Sequence, residues 1–276
     1  MLNKVIVRVN NLKEVNTLKE KGISNFLFPL EKFSIGYQTF TLEEIKDLKV
    51  NIYLLINREF DNITLNEFKT IKDLSFVKGI FFEDIAIYML LKDTGIPLIW
   101  STMHFVINSR SINFWLAKVS SARLSNELTK EEIQTILKNV TKPVVLDVYG
   151  QNIAMYSRRK LLSNFFLAHQ EKPKENLTLT TDNHISFKTF ENEYGTVFFY
   201  KTSFNYTKIL EEIDDSKILL YLYDIEDNTP EKLLDIINKK ETTSFNRFLE
   251  EPTIYKLEAK KWLNYFHQQV MLKKWK

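Results

Sequence analysis

Apolar runs of strand length alternate along the chain with stretches of helical spacing. Lys4 to Val9 alternates like a strand, and Asn11 to Gly22 follows with Leu12, Val15 and Leu18 on one helical face and a closing glycine. Asn25 to Leu30 predicts the next strand, and Thr41 with Glu44 three residues on predicts a capping box. Val50 to Ile56, Val77 to Phe82, Pro97 to Thr102 and Ser121 to Ser125 predict further strands. Helices are predicted over Thr64 to Leu74, from Glu83-Asp84 through Leu91, over Ser109 to Val119, and over Lys130 to Val140 with Thr129 as cap.

The seventh strand, Pro143-Val-Val-Leu-Asp-Val-Tyr-Gly150, runs into a polar loop, after which Ser157-Arg-Arg-Lys160 opens an apolar, helix-like run to Phe166. The rhythm then breaks. His169 to Asn183 carries charge and threonine without period, and Ile185 to Tyr200 alternates around Asn192-Glu-Tyr-Gly195, which predicts an inserted hairpin over 183–202. A helix at Tyr206 to Ile213, a strand at Lys217 to Tyr223 and a helix at Pro230 to Lys240 complete eight strand-helix units. Such alternation predicts an α/β fold, a (β/α)8 TIM-type barrel over 1–240 with an open doubly wound sheet as its competitor. Residues 241–276 predict a C-terminal helical tail whose lysines and aromatics, Trp262, Tyr265, Phe266 and Trp275, suit either docking on the barrel or contact with RNA or a partner.

Composition narrows the chemistry. The 276 residues, 44% hydrophobic, can bury a full core, and a net charge of +3 leaves any basic surface to local clustering. Cysteine is absent, which excludes thiolate nucleophiles, disulfides and cysteine-held zinc or iron-sulfur centres. The start is too short in its apolar part for a signal peptide, and no run approaches the ~18 apolar residues of a membrane span, so the expected location is cytoplasmic with no membrane partner. The four histidines, His104, His169, His184 and His267, are scattered, so no metal site is expected, and no glycine-rich phosphate loop is present.

The strand-to-helix corner after Gly150 is where an α/β protein places its ligands. Arg158 and Arg159 at a helix start could hold a phosphate or carboxylate, or one could pair with an acid such as Glu127 to brace the fold. Glu127 could equally serve as a general base. Asp84 stands at a strand end as a mouth carboxylate or as an N-cap, and Asp147 is a second carboxylate near a strand. Trp100, with Ser101 and Thr102, could line the same mouth and stack on a base, or lie in the core. Tyr149 could hydrogen-bond a ligand but would not shuttle protons near neutral pH.

Trp100-Ser-Thr102 with Asn108, then Leu124-Ser-Asn-Glu-Leu128, then Tyr149-Gly150 with Ser157-Arg-Arg and Asn164-Phe-Phe166, resemble the successive signatures of the collagenase-like peptidase family. The Phe190-Glu-Asn-Glu-Tyr-Gly-Thr196 stretch is similar to that of its short bacterial branch, linked to hydroxylation of the wobble uridine in tRNA. Gly150, Glu127, Ser157, Arg159 and Asn164 match the family pattern, whereas Tyr149, Ile153 and Asn126 stand where members carry His, Cys and Arg. The resemblance implies tRNA modification, with Glu127 and Tyr149 as catalytic candidates. Arg158, Arg159, Ser157, Asn164, Trp100, Ser101 and Asp84 would then hold an anionic ligand or tRNA. It implies no cofactor for this chain, because the cluster of cluster-bearing members is held by cysteines. The alternatives are a catalytically degenerate subunit of a paralogous barrel protein, or a protease, for which nothing here supplies a nucleophile or metal.

Overall fold

The computed structural model describes residues 2–102, 104–172, 177–182 and 185–240. The first half alternates without interruption: β1 (Val5–Arg8), α1 (Leu12–Glu20), β2 (Asn25–Pro29), α2 (Leu42–Ile45), β3 (Asn51–Ile56), α3 (Asn62–Phe68), β4 (Val77–Phe82) and α4 (Ile85–Leu91). It continues through β5 (Leu98–Trp100), α5 (Ser109–Leu116), β6 (Ser121–Ala122), α6 (Lys130–Asn139) and β7 (Val144–Gly150). Then come β8 (Ile153–Ser157), α7 (Leu161–Ala168), β9 (Thr178–Thr180), β10 (Ser186–Asn192), β11 (Gly195–Tyr200) and β12 (Phe204–Asn205), before β13 (Ile218–Asp224) and α8 (Pro230–Ile237).

Among the described residues the large sheet runs β12-β7-β13-β1-β2-β3-β4-β5-β6, and all its pairings are parallel except that of the short β12. It curls until its distant strands meet: a parallel bridge joins Arg123 to Val145, and the Leu124 N–H donates to the Val145 carbonyl at 2.9 Å. The fold is therefore α/β, built on a curled and mainly parallel sheet.

Period-two alternation sorts the strand residues. Val5, Val7, Phe26, Phe28, Leu54, Ile56, Phe82 and Trp100 pack outward in one apolar cluster with helix residues such as Val15, Leu18, Ile112 and Ile133. Ile6, Leu27, Leu55, Phe81, Ile99, Val145, Leu220 and Leu222 pack inward on one another. A doubly wound sheet would carry helices on both faces, whereas here the inner face packs against itself. Capping boxes fix the starts of α1, α2 and α6 through Asn11 with Glu14, Thr41 with Glu44, and Thr129 with Glu132.

Three local expectations change. The polar loop after Gly150 contains β8, which joins a second sheet in the order β8-β11-β10-β9, so part of the aperiodic stretch 169–183 is also strand. The predicted helix at Tyr206 to Ile213 is a short 3-10 turn over Thr207–Glu211. Arg158 and Arg159 lie in a bend between β8 and α7 and not inside the helix. The tail at 241–276 lies outside the described residues. No described helix is long and apolar enough to cross a membrane.

Candidate functional site

The last inward residue of several strands is polar, and these side chains meet at the carboxyl end of the sheet. Arg8 follows Ile6 inward and pairs with Asp224 at the end of β13, through Nε at 3.0 Å and through a closer Nη2 contact. Arg123 follows Ser121 inward and holds Asp147 of β7 bidentately, Nε to Oδ1 at 2.8 Å and Nη2 to Oδ2 at 2.6 Å. Tyr37, from the segment after β2, lies under the Arg8 guanidinium with its ring centroid at 3.8 Å, and burial pushes its hydroxyl up to about 12. These two ion pairs are buried and, with Leu27, Leu55 and Leu222, line a recess of about 20 Å³, while Arg8 and Asp224 also line a cavity of about 230 Å³ with Tyr37 and Glu226.

A cavity of about 760 Å³ opens beside this floor, over the ends of β3, β4 and β5, with β8 as its far wall. Its apolar rim includes Ile85, Phe105 and Met155, which are exposed, and its polar groups include Glu59, Glu83, His104 and Arg158. Glu83 continues the inward row of Phe81. Burial pushes its carboxyl up to about 8, with Arg123 pulling the other way and Glu59 adding to the rise. Its carboxylate oxygens have no hydrogen bond or ion pair among the described residues. Thr102, on the same cavity, has its hydroxyl oxygen shielded from solvent and likewise unpartnered.

The predicted site residues divide. Arg158 lines the cavity, but its Nη2 donates to Asp61 Oδ2 at 2.9 Å. Arg159 is exposed and lines neither this cavity nor the recess, and its backbone N–H donates to Ser157 Oγ at 3.2 Å. Glu127 stands back from the cavity and touches it through His104, whose Nδ1 lies 3.6 Å from Glu127 Oε2. Asp84 lines the cavity while capping α4, accepting from the Ala86 N–H at 2.8 Å and from the Phe60 N–H at 2.8 Å. Ser101 faces inward, fully buried, its Oγ accepting from Arg123 Nη1 at 3.4 Å.

Four placements correct the expectations. Trp100 does not face the mouth: alternation turns it outward with Leu98, where it stacks on Trp115 with centroids 5.0 Å apart. Tyr149 lines the small recess and not the cavity, and its hydroxyl accepts from Asn228 Nδ2 at 3.0 Å. Asn164 is exposed on α7, away from the cavity. The N-terminus of α7 does not await an anion, because Glu191 already fills it: Oε2 accepts from the Leu162 N–H at 2.8 Å and Oε1 from the Ser163 N–H at 2.9 Å. Burial works against that charge, yet the hydrogen bonds from Ser163, Thr196 and Leu162 hold Glu191 below the usual carboxylate range.

The candidates drawn from the sequence omit Arg8, Arg123, Asp224, Tyr37 and Glu83, and His104 enters there only as one of four scattered histidines. The signal was present, since Arg8, Glu83, Arg123 and Asp224 each continue an inward row by two positions. Reading it needed the strand phase, which only the closed inner cluster supplies.

The fold and the cavity together define an α/β protein with a ligand-sized opening at the carboxyl ends of curled parallel strands. The sequence model of Peptidase family U32 matches residues 10–175, and the chain belongs to that family. A protein of Bacillus subtilis (strain 168) named tRNA hydroxylation protein P2 is 22% identical over 281 residues, covering 94% of this chain and 91% of its own length. A solved structure of a U32 peptidase superposes with a TM-score of 0.49 at 11% identity, over 83% of this chain and 94% of the other.

Proposed function

We propose that the chain acts in tRNA modification, in hydroxylation of the wobble uridine, and that its parallel strands form a complete (β/α)8 barrel with the RNA held at the mouth. The observation that carries this reading is a likeness running nearly end to end to a protein named for tRNA hydroxylation. The geometry supports it. A cavity of about 760 Å³ with exposed apolar walls suits an unstacked base, and a cation at its rim suits the adjoining phosphate. In this reading Arg158 exchanges Asp61 for phosphate, and Arg159 contributes charge outside the cavity. Glu83 and the His104-Glu127 pair are the groups placed to give or take protons near the base. Tyr149, Ser101 and Trp100 act through the frame.

A second reading has its own support. No cysteine is present, and Tyr149, standing where members carry His, is turned to Asn228. A chain so built could serve as the RNA-holding subunit of a paralogous barrel protein. A cysteine-held iron-sulfur cluster does not fit either reading for this chain.

Nucleoside analysis of tRNA from cells lacking the chain tests the first reading. Hydroxylated uridine should disappear and return on complementation, and unchanged levels would refute it. If complementation requires a copurifying cysteine-containing paralogue, the second reading is the correct one.

A further inference from the structure

Within the large cavity, two polar side chains on neighbouring strand ends have no partner among the described residues. The Phe82 and Trp100 positions are paired in register, so Glu83 and the Ser101-Thr102 segment leave the sheet side by side. Both Glu83 and Thr102 line the cavity. The other inward charges beside them are satisfied: Arg123 by Asp147, Arg8 by Asp224. Asn57, on the same wall, has both its amide groups engaged by the Ile35 backbone, at 3.0 Å and 3.1 Å. The Thr102 hydroxyl is shielded from solvent, and Glu83, partly exposed to the cavity, makes no side-chain bond among the described residues, so both are free to meet a ligand there. What completes a carboxyl group flanked by apolar walls is a flat ring with a donor beside an acceptor on its edge.

We propose that Glu83 reads the edge of a base inserted in this cavity, its carboxyl group donating an O–H to a ring carbonyl and accepting the neighbouring ring N–H. The inference rests on the reading of the protein as acting on tRNA uridine, and it names the group that recognises the base. The ring N–H and carbonyl of uridine offer that pairing. Ionised Glu83 would set a negative charge against the carbonyl oxygen and lose one of the two bonds. The charged and titratable groups around Glu83 are Arg123 on β6, Glu59 after β3, Tyr37 after β2 and Tyr156 on β8, with Asp84, His104 and Arg158 elsewhere on the cavity. Arg123 is committed to Asp147, so it tempers the rise of Glu83 without pairing with it. The neutral acid then prevails below about pH 8.

The test uses the full chain and an RNA hairpin with one unpaired uridine in its loop, against the same hairpin carrying N3-methyluridine there, with affinity read by fluorescence anisotropy. Phosphate contacts are common to both RNAs and cancel in the ratio. The wild-type protein should prefer the unmethylated hairpin by about tenfold or more at pH 7, and the preference should fall as pH rises through about 8. Glu83→Gln retains a donor and an acceptor, and should keep the preference while losing its pH dependence up to pH about 8. Glu83→Ala should bind both RNAs alike. Equal binding of the two hairpins by the wild type, no binding of either, or a preference that survives in Glu83→Ala would overturn the proposal. A preserved preference with unchanged cellular hydroxyuridine would refute the tRNA-hydroxylation reading and leave base recognition standing, and the opposite pair of results would do the reverse.

Discussion

The Arg123-Asp147 pair sits where the curled sheet meets itself, and removing one partner tests whether that seam holds the fold. The two side chains are 9% and 4% exposed, and the contact is bidentate. The same seam carries the Leu124 to Val145 backbone bond at 2.9 Å and the Ser121 Oγ bond to the Pro143 carbonyl at 2.8 Å. Asp147→Leu keeps the approximate volume and leaves the guanidinium without its counter-charge, and breaking a buried pair from one side costs about 3–5 kcal/mol. For a chain of this size each kcal/mol corresponds to about 2–4 °C, so the midpoint should fall by about 6–20 °C. Arg123→Met should cost a similar amount. The double variant Arg123→Met/Asp147→Leu buries no charge and should recover most of the loss, because desolvating both ions offsets much of their attraction. Urea unfolding with an unchanged slope gives the three values. A single-variant cost under about 1 kcal/mol, or a double variant as unstable as the summed singles, would refute the view of the seam as a coupled buried pair.

Glu83 makes stability depend on pH. Its folded pKa, about 8, lies above its ordinary value of 4.5, so the folded state binds the proton more tightly. That contribution is fully present below about 4.5 and is lost as pH rises through about 8, with an upper limit of about 5 kcal/mol reduced by water in the cavity. Glu83→Gln should therefore flatten the decline between pH 5 and pH 8 in urea titrations; an identical slope in both proteins would contradict the burial of the acid. Gly195 has φ +137°, and an added Cβ would lie 2.1 Å from the Ser157 carbonyl oxygen. Gly195→Ala should cost more than about 2 kcal/mol in thermal unfolding, since the hairpin must part from β8. Thr129→Ala removes the cap of α6 and should cost about 1 kcal/mol in the same assay. Arg158→Ala should change stability by under about 1 kcal/mol, its pair with Asp61 being exposed, while weakening RNA binding in anisotropy.

The sequence made the alternation legible because each strand and its helix are local objects, and caps such as Thr41 with Glu44 announce themselves at fixed spacing. β8 was illegible for the opposite reason. Ile153-Ala-Met-Tyr-Ser157 is half-exposed along its length and becomes a strand by pairing with β11, some forty residues on. The adjacent arginines drew attention because charge at a helix start suggests an anion site. Yet the acid that fills the α7 terminus, Glu191, comes from the hairpin and could be assigned only in three dimensions. Trp100 suits the mouth or the core on sequence alone, and strand phase decides it, since its neighbour Ile99 is the residue that faces inward.

Strand phase also explains why Glu83 differs from its neighbour Asp84. At the carboxyl end of the sheet, Arg8 meets Asp224 and Arg123 meets Asp147, so two cations and two anions cancel in a largely buried floor. Glu83 projects inward from β4 between these pairs with no cation of its own, and Asp84, one residue later, turns outward to cap α4. Two adjacent acids thus part in character: the capping one is fixed by two backbone N–H groups at 2.8 Å, and burial of the inward one favours its neutral form. An additional acid in the floor would strengthen that neutrality, and an additional cation would end it. Burial sets the direction for Glu83, with Arg123 opposing it and Glu59 adding to it, so the pairing in the floor bears on this carboxyl by keeping Arg123 committed to Asp147.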